Sequence, residues 1–315
     1  MAYLFPAIIS FGIVYALVPL IRRTALRIGF VDAPTKRKIH SSPIPLMGGI
    51  ALYLGCMIAI YAFDGASARF AAVCTGGTLL VATGLLDDWY KVKGKEFPVW
   101  PRLVVYIVVS AVPAWFGIQI IGVTNVAGQG MLLFPVWLSW IATMAWVFGI
   151  TNMINFIDGV DGLASGIVTI SSFTLLIAAI FKEQHGTAIL AAALAGACLA
   201  FLAFNFYPAR IFMGDAGAVF LGYTLAVLAI DGSFKSATVI STLVPVFAIG
   251  VPIMDSVIVM TRRLWSGKGL HRADKLHTHH TLMSWGLTQT QTVSFLYLIG
   301  MLFSMLSIIL LLVIG

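Results

Sequence analysis

About ten stretches of roughly 20 apolar residues, separated by short polar loops, run the length of this chain. They fall near 3–21, 44–63, 70–86, 103–122, 131–150, 164–181, 187–206, 217–232, 237–260 and 291–314. Lipid offers no partner to a backbone N–H or C=O, so a segment that crosses it must close its hydrogen bonds internally, as a helix does. The expected fold is therefore all-α: a polytopic integral membrane protein with about ten transmembrane helices. The short loops leave no room for a separate soluble domain, so residues 1–315 are read as one membrane-embedded unit. Only 10% of the residues are charged, against ~25% in a soluble domain. The chain opens Met-Ala-Tyr-Leu without a basic leader or a small-residue cleavage site, so the first span is expected to be retained. Cys56, Cys74 and Cys198 lie inside apolar runs, which argues against a disulfide framework.

Numbering the loops alternately sorts the charge. Of the 19 basic residues, all but Arg69, Lys182 and Lys235 fall on one side. The positive-inside rule makes that side cytoplasmic and places both termini outside. The net charge of +7 is then a collar at the membrane surface, with lipid bilayer and not nucleic acid as its partner. Of the 12 acidic residues, only Asp64, Glu183 and Asp231 lie on the far side. Acids contribute little to topology, so their gathering needs another cause. Loops carrying both signs toward one compartment describe an active face that handles something anionic.

The stretch Thr151–Gly166, TNMINFIDGVDGLASG, joins two spans with far more polar equipment than a turn needs. Asn152, Asn155 and Asp158 are three apart and share a face if the helix continues. Gly159 and Gly162 follow Asp158 and Asp161, as tight turns close to a bound group would require. The first cytoplasmic loop holds Lys36, Arg37, Lys38 and His40, followed by Gly48-Gly49; it reads equally as a lipid anchor or a phosphate site. Asp87 and Asp88, adjacent at a span end, are either solvated charges offset by Lys91 or groups that handle a cation or phosphate. Asp215 sits between Gly214 and Gly217 at the start of a span, an N-cap or a place where a phosphate and metal approach. The longest loop carries Arg262, Arg263 and His277-Thr-His279-His280. A zinc reading of these histidines lacks further ligands, and phosphate donors beside two arginines fit better.

Oxygen donors from Asp87, Asp88, Asn155, Asp158, Asp161 and Asp215 suit Mg²⁺, which binds through one or two carboxylates plus substrate phosphates. Cations such as Lys38 and Arg263 would hold the rest of a diphosphate. Phosphoryl transfer between a nucleotide substrate and a lipid is the chemistry this combination points to.

The motifs DAPTKRKIH with PIPLMGG (32–49), LLDDWYK (85–91), NMINFIDGVDGLASG (152–166), FMGDAGA (212–218) and HTHH (277–280) run through the whole chain in order. On them the chain resembles the polyprenyl-phosphate N-acetylhexosamine-1-phosphate transferases. The resemblance implies a single membrane-embedded glycosyl-phosphate transferase domain in the bacterial cytoplasmic (inner) membrane, with a cytoplasmic-facing site. Such enzymes move sugar-1-phosphate from a UDP-N-acetylhexosamine to undecaprenyl phosphate and release UMP. Carried over by motif, Asp215 with Asn155 would ligate Mg²⁺, for which Mn²⁺ substitutes. Phe212 would stack on uracil, helped by Asp161 and Asn205. Arg263 and His277 would hold the diphosphate, with Lys38, Asn152, His279 and His280 on the substrate and Asp158 in the catalytic centre. Asp87 and Asp88 would lie at the lipid phosphate, one of them the often-proposed base. FIDG and HTHH look like the branch that uses UDP-GlcNAc and primes envelope polysaccharide or teichoic acid synthesis. The alternative branch transfers phospho-MurNAc-pentapeptide for peptidoglycan, and a homodimer is compatible with either. Arg102 stands where many relatives carry Lys.

The rival from another class is a secondary transporter, whose signature is ionisable residues and broken helices near the bilayer midplane. Here Asp255 is the one acid well inside an expected span, roughly 10 Å from its end. The remaining polar groups gather at one interface.

Overall fold

A computed structural model describes residues 3–33, 43–124, 131–233, 239–265 and 277–314. Among the described residues the chain forms twelve helices and two short antiparallel hairpins. In order these are α1 (Leu4–Ile28), β1 (Val31–Asp32), β2 (Ile44–Pro45), α2 (Gly48–Asp64), α3 (Ala68–Val92) and α4 (Val99–Trp115). Then come β3 (Gly122–Thr124), β4 (Met131–Leu133), α5 (Val136–Ile157), α6 (Leu163–Phe181), α7 (His185–Asn205) and α8 (Gly214–Ser233). The chain ends with α9 (Val239–Ala248), α10 (Gly250–Trp265), α11 (Thr278–Ser284) and α12 (Gln289–Ile314). Seven helices, α1, α3, α5, α6, α7, α8 and α12, are long and apolar enough to cross a membrane. Helices α2 and α4, at 17 residues each, are shorter.

Two expected spans differ in a way that composition conceals. The apolar run 131–150 is not one helix: Met131–Leu133 pairs with Gly122–Thr124 as a hairpin, and the helix begins only after Pro135. The run 237–260 breaks at Ile249, between α9 and α10. Pro252 has no N–H to return to the Ala248 carbonyl, and Pro245 already interrupts the ladder above it.

Helix α8 is the axis of the bundle. An 18-residue stretch of it is 94% buried, against 22% for α1 and 28% for α12, whose sides meet lipid. Its near neighbours α2, α3 and α5 approach through glycine. A Cβ on Gly49 of α2 would lie 2.4 Å from the Gly217 nitrogen, and one on Gly84 of α3 would lie 2.4 Å from the Ala216 Cα. On α8 itself, a Cβ at Gly222 would come within 2.8 Å of the Thr151 Cα on α5. Gly49 and Gly217, expected to make room for a phosphate or a metal, therefore make room for a neighbouring helix. This packing brings the N-terminus of α8 against the C-terminal turns of α3 and α5.

The opposite end of the bundle is closed by polar groups that the sequence left unconnected. Arg69 at the start of α3 reaches Asp64 (3.1 Å) at the end of α2 and Asp231 (3.4 Å) at the end of α8. Thr187 of α7 donates to the same buried Asp231 at 2.6 Å. His185 at the start of α7 hydrogen-bonds the Tyr3 hydroxyl and stacks on its ring.

Candidate active site

Helix α3 does not stop at its apolar run. It continues to Val92 and carries Asp87 and Asp88 on its last turns, only 3% and 1% exposed, where a loop was expected. Asp88 accepts hydrogen bonds from the backbone N–H groups of Asp215 (3.2 Å) and Ala216 (3.4 Å), so it caps α8 from another helix. Gly214 must be glycine here: its φ is +70°, and a Cβ would sit 2.3 Å from an Asp88 carboxylate oxygen. Asp87 is held by Arg102 of α4, Nη1 to Oδ2 at 2.9 Å. Lys91, one turn beyond the pair, places Nζ 2.7 Å from Asp215 Oδ1, 3.7 Å from Asp87 and 3.8 Å from Asp88. Three carboxylates and two cations thus meet at the junction of α3, α4 and α8.

The central motif forms the next wall. Helix α5 runs through Ile157, so Asn152 and Asn155 are on its final turns and Asp158 ends it. Asn152 donates back to the Phe148 carbonyl at 2.7 Å. Asn155 is half-buried, as is Asp158. Burial pushes the Asp158 carboxyl well above the ordinary carboxylate range, and the negative charges of Asp215 and Asp88 add to the effect. Gly162, with φ +79°, starts α6, and its N–H donates to Asn205 Oδ1 at 3.1 Å. Asn205, expected beside the base, is 3% exposed, and its Nδ2 donates to the Ile211 carbonyl at 3.1 Å. It acts on any ligand through the loop it holds. Asp161 holds the same loop by accepting from the Ala209 N–H at 3.0 Å.

Phe212 is half-buried and packs, as Met47 and Val92 do, against the cluster of Ala25, Phe30 and Leu46. Its N–H donates to the Pro45 carbonyl (2.8 Å), and its carbonyl accepts from the Gly48 N–H (3.0 Å). The segment that leads into α2 and the one that leads into α8 are therefore joined by backbone. Lys38, with Lys36, Arg37 and His40, lies outside the described residues.

The histidine motif reaches the site through a residue that sequence reasoning left unused. Asp255 of α10 accepts from His277 Nδ1 (2.7 Å) and from the Thr278 N–H (2.7 Å), which fixes the start of α11. Two turns further along α10, Arg262 donates to Thr281 at 2.9 Å. Asp255 is thus no lone intramembrane acid. Its spacing of seven from Arg262, two turns on one helix face, was the available signal. His277 and His279 stack at 5.7 Å, and His279 Nε2 would be 3.0 Å from a Cβ on Gly159. Gly159 therefore serves contact with the histidines and not a left-handed turn. His279 is 2% exposed, and burial, with His280 beside it, pushes its imidazole down to about 4. It is neutral at pH 7 and can offer one N–H but no charge.

Hard oxygen donors fit a small divalent cation. Among the described residues no group of three His, Cys, Asp or Glu forms a closed metal cage. Mg²⁺ does not require one, because water and substrate phosphates complete its shell.

Residues 70–233 match the sequence profile described as glycosyl transferase family 4. Over 306 residues the chain is 34% identical to the "Probable undecaprenyl-phosphate N-acetylglucosaminyl 1-phosphate transferase" of Bacillus subtilis (strain 168), covering 96% of this chain and 83% of that one. It is 31% identical over 280 residues to the undecaprenyl-phosphate alpha-N-acetylglucosaminyl 1-phosphate transferase of Escherichia coli (strain K12), covering 86% and 73%. It is 29% identical over 306 residues to a decaprenyl-phosphate N-acetylglucosaminephosphotransferase of Mycobacterium tuberculosis (strain ATCC 25618 / H37Rv), covering 88% and 75%. Apolar helices and bacterial relatives together identify a multi-pass membrane protein.

Proposed function

The chain belongs to glycosyl transferase family 4, and we propose that it transfers N-acetylglucosamine-1-phosphate from UDP-GlcNAc to undecaprenyl phosphate, releasing UMP. The observation that carries this reading is the meeting of Asp87, Asp88 and Asp215 with Lys91 and Arg102 at the end of the bundle that bears the basic collar. A transporter site would lie near the midplane between broken helices. Here the charges meet at helix ends, and Asp255, six residues past the break between α9 and α10, is engaged by His277 and Thr278.

Asp215 with Asn155 would hold Mg²⁺ or Mn²⁺, which when bound supplies positive charge against the diphosphate oxygens. Arg263 and His277 hold the diphosphate of the donor. Asn152, Asp158, His279, His280 and Lys38 complete the wall around it, and Phe212 takes the uracil on the loop that Asp161 and Asn205 brace. An oxygen of undecaprenyl phosphate attacks the sugar-bearing phosphorus. The bond from that phosphorus to the bridging oxygen breaks, and UMP leaves with the electron pair. A phosphate monoester has a second pKa near ~6, so the nucleophile is largely ionised at neutral pH without a base. Asp87, clamped by Arg102 at 2.9 Å, is better placed to orient that cation toward the lipid phosphate than to accept a proton. Asp88, spent on the α8 amides, sets the position of Asp215.

The test is purified protein in detergent with Mg²⁺ and undecaprenyl phosphate, offered UDP-GlcNAc or UDP-MurNAc-pentapeptide, with UMP and lipid product followed. Product from UDP-GlcNAc alone is expected, together with loss of turnover in EDTA and in Asp215→Asn. Turnover of the second donor alone would keep the mechanism and move the protein to the peptidoglycan branch. Silence with every UDP-N-acetylhexosamine would refute the transferase reading.

A further inference from the structure

Lys91 is more than an offset for its two acidic neighbours. Its ammonium is closest to Asp215 Oδ1, at 2.7 Å, and a full ångström farther from Asp87 and Asp88. The other acidic oxygens are otherwise engaged. Asp88 faces the α8 amides, and Asp87 pairs with Arg102 while its carboxyl also lies within side-chain hydrogen-bond reach of Asp215. Asp215, with 20% of its side chain exposed, presents the accessible carboxylate edge of the cluster, and Lys91 sits on it. The Lys91 side chain is itself 45% exposed, on a flexible four-carbon stem at the end of α3. It can leave Asp215 without moving a helix. Arg102, fixed on α4 and paired to Asp87, is not placed for that exchange.

We infer that Lys91 is the internal counter-cation of the metal site: its ammonium and a divalent cation compete for Asp215, so metal binding releases Nζ toward the substrate phosphates. The inference rests on the metal reading of Asp215. Its physical basis is that an ammonium at hydrogen-bond distance already occupies the oxygen a metal must take. Two cations held on one carboxylate in a half-buried site repel strongly. Three carboxylates packed at one helix junction also need a cation to fold when no metal is present. A lysine supplies it reversibly, which a second arginine fork would not.

The experiment is a Mn²⁺ titration of detergent-purified protein without substrates, reading free Mn²⁺ by electron paramagnetic resonance. Lys91→Met is expected to bind about tenfold tighter than wild type, a coupling of ordinary size. Lys91→Arg should stay near wild type, and Asp215→Asn should lose the site. Equal or weaker binding in Lys91→Met overturns the inference. Absence of binding in both wild type and Lys91→Met overturns the metal reading, and the inference with it. A second measurement needs no variant: acylation of wild-type lysines by acetic anhydride, followed by mass spectrometry. Mn²⁺ or Mg²⁺ should raise labelling of Lys91 several-fold relative to Lys95, and unchanged labelling overturns the exchange.

Discussion

Asp255 offers the sharpest perturbation. It is 3% exposed and makes two hydrogen bonds of 2.7 Å, one to the His277 ring and one to the Thr278 backbone. Each bond to a charged acceptor contributes about 1.5–3 kcal/mol, and a stranded buried N–H costs a comparable amount. Asp255→Asn keeps an acceptor for Thr278 and nearly the same volume, so it alters only the partner of His277. The amide then donates to Nδ1 and forces the other imidazole tautomer. Loss of one charge-assisted bond corresponds to a fall of roughly 10- to 100-fold in kcat, with KM for the UDP-sugar little changed. Asp255→Ala removes both bonds and frees the start of α11, a helix of seven residues, so KM should rise as well. The assay is UMP release at saturating undecaprenyl phosphate across a UDP-GlcNAc series, with size-exclusion profiles as the check on folding. Wild-type kcat in Asp255→Asn would refute the claim that this carboxylate sets the histidine.

Gly49→Ala drives a methyl to 2.4 Å from the Gly217 backbone, where neither helix can yield cheaply. Destabilisation of about 1–3 kcal/mol or more is expected, read as a lower Tm in detergent; an unchanged Tm would mean that α2 and α8 are not so close. His279 binds a proton less readily folded (about 4) than unfolded (~6.5), so protonation favours the unfolded chain. Its contribution is complete above the unfolded value and is lost as pH falls from about 6.5 through about 4, a penalty of about 3 kcal/mol. Thermal melts from pH 7.5 to 4.5 should fall more steeply for wild type than for His279→Gln, and parallel curves would contradict the assignment. Phe212→Ala should raise KM for UDP-GlcNAc several-fold; a change confined to the undecaprenyl phosphate dependence would place the ring elsewhere.

Much of the site was legible as residue type. Asp87, Asp88, Asp158 and Asp215 announce themselves because a carboxylate at a lipid boundary is costly unless something uses it, and all of them fall on one side of an alternating topology. The helical character of the chain follows from the same cause, since lipid leaves the backbone no partner but itself. Local sequence could not say which carboxylate does what. Asp88 caps a helix more than 120 positions away, and Asp255 anchors histidines on another helix; such pairings depend on how helices cross. Glycine was misread for the same reason. Gly49 and Gly217 look like a ligand cradle in one dimension and prove, with Gly84, to be the contacts that let α2 and α3 close on α8. The breaks at Ile249 and Pro135 depend on proline and on strand pairing, which hydropathy does not register. Composition and periodicity thus determined the solvent, the secondary structure and the chemical inventory. Packing decided the partners, because a hydrogen bond or a steric contact exists only between atoms that the fold has already brought together.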